Sequence, residues 1–187
     1  MKIAYQGEPG AFSEAASRLV NAEADLLPCR SFEDVFAAVD GGRADFDLLL
    51  EHQLPIVGEV EVPIVHHLLA LPGVRLADVR RVYSHPQALA QCERFLRALE
   101  GVEVIASYDT AGSAKMIVDQ RMRDAAAIAS ARAAEVFGLE QVRSAIQDFD
   151  SNTTRFLVVG RAPLSEAPPD KTSIVFALAN EPGALFK

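Results

Sequence analysis

An α/β fold with mostly parallel strands follows from three features of the sequence. Short apolar runs rich in strand-forming residues alternate with stretches of helical spacing along most of the chain. Most of those runs end in a polar or glycine-containing junction that opens the next helix. Half of the 187 residues are hydrophobic, which suffices for one large domain or two small ones. Ligands of such sheets gather at the carboxyl ends of the strands, so the junctions are the candidate site.

Residues 2–5 read as a strand, Gln6-Gly7-Glu8-Pro9-Gly10 as a tight turn, and 11–20 as a helix with Ser13 as a cap or ligand contact. A second strand spans 26–29. Ser31 caps a helix over 32–39, with Asp34 standing where a capping box carries Glu or Gln, and Gly41-Gly42 ends it. A strand at 44–46 gives way to a helix at 47–52 through an unusually short connection. Extended stretches at 54–57 and 58–63 lead into a long apolar strand at 64–71, closed by Pro72-Gly73. A strand at 79–83 runs into Ser84-His85-Pro86-Gln87, and Pro86 suits the first turn of one helix reaching Leu99. A strand at 102–106 leads to Thr110-Ala111-Gly112-Ser113 at the next helix start. Residues 125–128 are a buried strand, 130–137 a helix stopped at Gly138, and 141–146 a further strand. A loop over 147–151 delivers Asn152-Thr153-Thr154-Arg155-Phe156 at the mouth of a buried strand over 157–159. Residues 164–170, with Pro168-Pro169, read as a linker; 172–178 is a strand and 180–186 a turn opening a helix.

Composition excludes several classes of function. The chain carries 26 acidic and 18 basic residues, a formal charge of -8, which argues against a nucleic-acid surface. No run approaches a membrane span and no signal segment precedes Tyr5, so no membrane association and a cytoplasmic location are expected. Cys29 and Cys92 lack any zinc-like grouping, and the four histidines have no ligand spacing, so no metal is expected. The opening turn is neither a dinucleotide fingerprint nor a phosphate loop, and no cofactor motif is present.

Four junctions remain: Gln6 to Gly10, Ser84 to Gln87, Thr110 to Ser113, and Asn152 to Phe156. Each has a plain structural reading as a turn or cap, and His85 before a proline suits a structural role as well as a general base. Their convergence at strand ends favours recognition of a small polar acid. Thr154 can supply a proton and Arg155 can grip a carboxylate, in a reaction driven by positioning and charge stabilisation.

The same stretches resemble the bacterial prephenate dehydratases. The resemblance rests on Tyr5-Gln6-Gly7-Glu8-Pro9-Gly10-Ala11-Phe12-Ser13, Ile56-Val57-Gly58-Glu59 with Pro63-Ile64 and Leu69-Ala70-Leu71, Ser84-His85-Pro86-Gln87-Ala88-Leu89, Asp109-Thr110-Ala111-Gly112-Ser113-Ala114, and above all Asn152-Thr153-Thr154-Arg155-Phe156. It implies two α/β lobes like a type II periplasmic binding protein, with the site in the cleft between them. Lobe one would hold residues 1–76 and a returning strand at 156–163, and lobe two residues 77–155. Residues 164–170 would link this catalytic part to the start of an ACT-type regulatory domain at 171–187.

The activity so implied is that of a carbon–oxygen lyase, converting prephenate to phenylpyruvate, water and carbon dioxide in phenylalanine synthesis without metal or organic cofactor. Thr154 would protonate the departing hydroxyl, with Arg155 and Phe156 in the same catalytic motif. Substrate contacts would come from Gln6, Gly7, Pro9, Ser13, Ser84, His85, Gln87, Thr110, Ala111, Gly112, Ser113 and Thr153. Gly183, Ala184 and Leu185 would bind phenylalanine as a feedback inhibitor, and a homo-oligomer, dimer or tetramer, is implied. Arogenate, with an amino group in place of the keto group, is the alternative substrate.

Two departures from the family pattern stand out. Between Phe46 and Asp47 the family carries about one and a half dozen further residues, a length typical of a loop over a site, including a Glu-Asn-Ser motif; their loss would leave a small-molecule binding module as the non-enzyme alternative. Ser144-Ala145 stands where the family often has an acidic-amide pair.

Overall fold

The computed structural model describes residues 1–40, 55–160 and Lys171. The elements expected at 44–46, 47–52 and 172–186, the Gly41-Gly42 stop, the linker, and Gly183, Ala184 and Leu185 lie outside those residues.

In the first lobe, β1 (Lys2–Gln6) pairs in parallel with β2 (Asp25–Cys29), joined by α1 (Phe12–Val20). The helix α2 (Phe32–Asp40) follows. Ser31 and Asp34 cap it reciprocally: the Asp34 N–H donates to Ser31 Oγ at 3.1 Å and the Ser31 N–H to Asp34 Oδ2 at 3.2 Å. The shorter Asp therefore completes the box. β3 (Ile56–Pro63) pairs antiparallel with β9 (Thr153–Val159), setting Val62 opposite Thr154 and Pro63 opposite Thr153. Val62, Ile64 and Ala16 form a small core with Phe12, Val60 and Phe156 packed on it.

The second lobe is one five-stranded sheet in the order β6-β5-β7-β4-β8, built from β4 (His67–Ala70), β5 (Arg81–Ser84), β6 (Glu103–Ala106), β7 (Ala125–Ala129) and β8 (Glu140–Arg143). β7 is buried on both faces, as its central place requires. One face of the sheet packs against α5 (Thr110–Asp119) and α6 (Ala131–Phe137), and the other against α3 (Pro86–Gln91) and α4 (Glu93–Arg97). Alanines at 125, 126, 127 and 129 leave little side chain between sheet and helices, so the layers approach closely.

Four expectations are corrected. The sheets are mixed: β1–β2, β5–β6 and β5–β7 are parallel, but β3–β9, β4–β7 and β4–β8 are antiparallel. The strand expected at 64–71 is cut to His67–Ala70, because the chain crosses between lobes at 64–66 and pairs there with the returning chain. The Ile64 N–H donates to the Asn152 carbonyl at 2.8 Å and the Ile146 N–H to that of His66 at 2.9 Å. The lobe boundary thus lies near residues 64–66 on the way out, and the returning strand starts at Thr153. The helix expected from Pro86 to Leu99 breaks at Cys92: the Gln91 carbonyl accepts the Asp148 N–H at 2.7 Å, and the Asp148 carboxylate takes the Arg94 N–H at 3.1 Å. Finally, β9 is not buried throughout, since Leu157 is 41% exposed and burial alternates along the strand.

Candidate active site between the lobes

Because β5, β6 and β7 run the same way, Ser84, Ala106 and Ala129 end on one edge of the second sheet. The starts of α3, α5 and α6 lie just beyond them. In the first lobe, β1 and β2 end side by side at Gln6 and Cys29, and the Gly7 N–H closes the pair on the Cys29 carbonyl at 2.8 Å. The start of β9 lies beside the end of β3.

Two of the four junctions meet across the cleft through Asp109. Its Oδ2 caps α5 by accepting the Gly112 N–H at 3.1 Å and also accepts the Glu8 N–H from the first lobe at 3.2 Å. The Glu8 carboxylate lies 3.4 Å from both the Tyr108 hydroxyl and Lys115 Nζ. Burial, then the nearby Glu8 and Asp109 carboxylates, push the Tyr108 phenol above its ordinary range. A cavity of about 100 Å³ opens here, lined by Gly7, Glu8, Pro28, Cys29, Arg30 and Tyr108. Next to it, Ser130 Oγ donates to the Gly10 carbonyl at 2.6 Å, a further bond between lobes.

The Asn152 junction meets the far end of α3 rather than its Ser84–Gln87 start, since Asn152 Nδ2 donates to Gln91 Oε1 at 3.0 Å. Thr153 is exposed and Thr154 half-buried on the face of β9 that also carries Phe156. Arg155 points to the opposite face and pairs with Glu59 at 3.6 Å. A second cavity of about 210 Å³ borders the end of β3, with Phe12, Val62, Pro63, His67 and Arg132 among its lining residues.

Several hydroxyls of the predicted set are committed to the chain itself. Ser84 is fully buried and donates to the Ile128 carbonyl at 2.6 Å. Ser113, 1% exposed, donates to the Asp109 carbonyl at 2.7 Å. Ser13 donates to the Gln6 carbonyl. Ala111 and Gly112 are buried in the helix, with Tyr108 lying over Gly112, whereas Gln6, Pro9 and Thr110 are half-buried. His85 and Gln87 are exposed, and His85 Nδ1 accepts the Gln87 N–H at 3.2 Å as the cap of α3. Tyr108, Lys115, Arg30 and Gln91 were not singled out by sequence reasoning, His66 entered it only as a histidine without ligand spacing, and Asp109 only as the first residue of a family motif. Of these only Asp109 carried a signal, as an acidic residue immediately before a helix.

A family model described as prephenate dehydratase matches residues 3–46 and 43–164. The chain belongs to the prephenate dehydratase family. Among similar proteins, arogenate dehydratase/prephenate dehydratase 6 of Arabidopsis thaliana is 48% identical over 208 residues, covering 100% of this chain and 50% of the relative. The chain spans about half the length of the curated relatives it matches. The solved prephenate dehydratase of Arthrobacter aurescens, in complex with L-Phe, aligns with a TM-score of 0.80 at 28% identity, covering 100% of this chain and 70% of that one. A structure described as GqqA, a novel type of quorum quenching acylase, aligns with a TM-score of 0.78 at 36% identity, over 100% and 75% of the two chains. The two-lobed arrangement is therefore that of the family, like a periplasmic binding protein. The two stretches matched by the family model overlap at residues 43–46. An alignment of 208 residues against a chain of 187 leaves positions of the relative that this chain does not fill.

The cytoplasmic location expected from the sequence is overturned by these relatives. The Arabidopsis protein above and two others of that plant, 47% and 45% identical, are named as chloroplastic.

Proposed function

We propose that this chain is the dehydratase part of an enzyme of phenylalanine synthesis, converting prephenate to phenylpyruvate with the Thr154 hydroxyl as proton donor. The observation that carries the reading is the start of β9. Asn152 is tied to the second lobe, and Thr154, two residues on, keeps its hydroxyl outside every hydrogen bond among the described residues.

In the reaction the bond from the ring to its carboxylate breaks to release carbon dioxide. The electron pair enters the ring and expels the hydroxyl opposite. That hydroxyl takes a proton from Thr154 and leaves as water, and solvent returns the proton to the threonine. Aromatisation drives the step, so the protein's task is positioning and help to a poor leaving group. A threonine is a weak acid, which calls for a cleft shut against water. The bonds from Glu8 to Asp109 and from Ser130 to Gly10 support such closure. Arg155, on the opposite face of β9 and paired with Glu59, would support the strand that carries Thr154 rather than touch the substrate, and the remaining predicted contacts from Gln6 to Thr153 would shape the substrate pocket.

Arogenate is an equally supported substrate, given relatives named for both acids. The L-Phe complex of the Arthrobacter relative supports phenylalanine as an inhibitor; its action through the residues after the linker and a homo-oligomer belong to the same proposal. The test is turnover of both acids by the purified chain and by Thr154→Val. General acid help of this kind is worth roughly 100-fold or more, so T154V should lose at least that in kcat while melting unchanged. Unchanged turnover removes Thr154 from the role. Binding of either acid without conversion by the wild-type chain favours the binding-module reading, which the overlap of the two matched stretches at 43–46 makes specific.

A further inference from the structure

The outgoing and returning crossings between the lobes meet at one buried histidine. His66 is 2% exposed, and the Phe12 ring stands edge-on to it at 5.7 Å between centroids. Its backbone belongs to both crossings: the N–H donates to Gln147 Oε1 at 3.1 Å and the carbonyl accepts the Ile146 N–H at 2.9 Å. Its Nε2 lies 2.8 Å from Gln91 Oε1, the same oxygen that accepts from Asn152 Nδ2. Asn152 in turn fixes the chain directly before β9, its carbonyl accepting the Ile64 N–H.

Chemistry fixes the tautomer. An atom of Gln91 that accepts from the Asn152 amide is an oxygen, so the His66 nitrogen facing it must carry the hydrogen. Nδ1 then keeps a lone pair, and it is buried without a partner. An unmatched acceptor is tolerated more readily than an orphaned buried N–H, which the opposite tautomer would leave at Nδ1.

We propose that His66 is a positioning residue for the dehydratase reaction. Its Nε2–H holds the Gln91 amide with the oxygen toward Asn152, and Asn152 sets the start of β9 and so the place of Thr154. The inference rests on the reading of Thr154 as proton donor. Without the imidazole donor the Gln91 amide is free to turn over, which would set two NH2 groups face to face and release Asn152. A displacement of the order of 1 Å in a reacting group costs roughly 100-fold in rate. Contacts that hold the substrate elsewhere would be untouched, so the loss falls on kcat.

Two replacements separate positioning from packing. His66→Leu keeps an apolar filling and removes the donor, whereas His66→Gln returns an N–H close to where Nε2 stands. With the wild-type chain turning over prephenate or arogenate, H66L should lose about 10- to 100-fold in kcat, with KM held within roughly threefold. H66Q should recover most of that loss at a similar melting temperature. Should H66L not fold, Asn152→Leu removes the other donor to the same oxygen and should show the same fall in kcat at constant KM. Equal impairment of H66Q and H66L, a loss confined to KM, or an unchanged kcat in either leucine variant overturns the inference. Absence of turnover by the wild type with both acids overturns the dehydratase reading itself and this inference with it.

Discussion

At the scale of single residues, Ala145 holds backbone strain that the sequence hints at. It sits at φ 51°, the left-handed region that glycine reaches freely and asparagine, through local side-chain hydrogen bonding, tolerates better than alanine. This is the position where the family resemblance expects an acidic-amide pair, and an amide residue there has a backbone reason. Ala145→Asn and Ala145→Gly should each raise stability by about 1 kcal/mol, read as a shift in denaturant midpoint with unchanged m-value. The histidine pair makes a second residue-scale prediction. Burial, partly offset by the Gln91 bond, lowers the pKa of His66; burial and the neighbouring His66 lower that of His67. Unfolded imidazoles take up protons near pH 6.5 while the folded ones stay neutral, so the unfolded state binds more protons in that window. Stability is thus fully present above the unfolded value and is lost as the pH falls through it. The melting temperature should drop between about pH 7 and pH 5, and H66Q should flatten the slope; a slope unaffected by H66Q would assign the effect to other groups.

At the scale of elements, the turn between β1 and α1 rests against α6. Gly10 has φ +90°, and a β-carbon there would stand 2.7 Å from Ala133 Cα, a backbone atom that cannot swing aside. Gly138, the C-terminal stop of α6, has φ +65° with open space around it. Gly138→Ala should therefore cost about 1–2 kcal/mol from conformation alone. Gly10→Ala should cost clearly more and loosen Ser130 from the Gly10 carbonyl, as compared by chemical denaturation of the two variants. Such local devices were legible in advance: the Ser31 and Asp34 cap, Pro86 opening α3 and Gly138 closing α6 all depend on residues within a turn of one another. What the sequence hid depends on partners far along the chain. The break at Cys92 comes from Asp148, and the early end of the apolar run at 64–71 comes from Asn152 and Ile146. The junctions were visible as polar strand ends, but their contacts across the lobes were not, because Asp109 meets Glu8 and Gln91 meets Asn152 only in the folded chain.

For the molecule as a whole, two of the polar contacts between the lobes among the described residues come from side chains that also cap helices, Ser130 at α6 and Asp109 at α5. Asp109 is 7% exposed, and a single oxygen serves the Gly112 N–H of its own lobe and the Glu8 N–H of the other. The Glu8 carboxylate, by contrast, meets Tyr108 and Lys115 only at a long 3.4 Å, and with partly exposed partners such contacts contribute little. Closure should therefore respond far more to Asp109 than to Lys115. Asp109→Ala removes a helix cap, at about 0.5–2 kcal/mol, and strands the Glu8 N–H, at about 1–3 kcal/mol, whereas Asp109→Asn keeps an oxygen in place. Amide exchange should quicken at Glu8 and Gly112 together in D109A and remain near wild type in D109N and Lys115→Met. A larger radius of gyration for D109A in solution scattering would accompany it if the lobes part. Quickening at Gly112 alone would mean that Asp109 caps its helix without holding the lobes, leaving Ser130 on Gly10 and the crossing at His66 to keep the cleft shut.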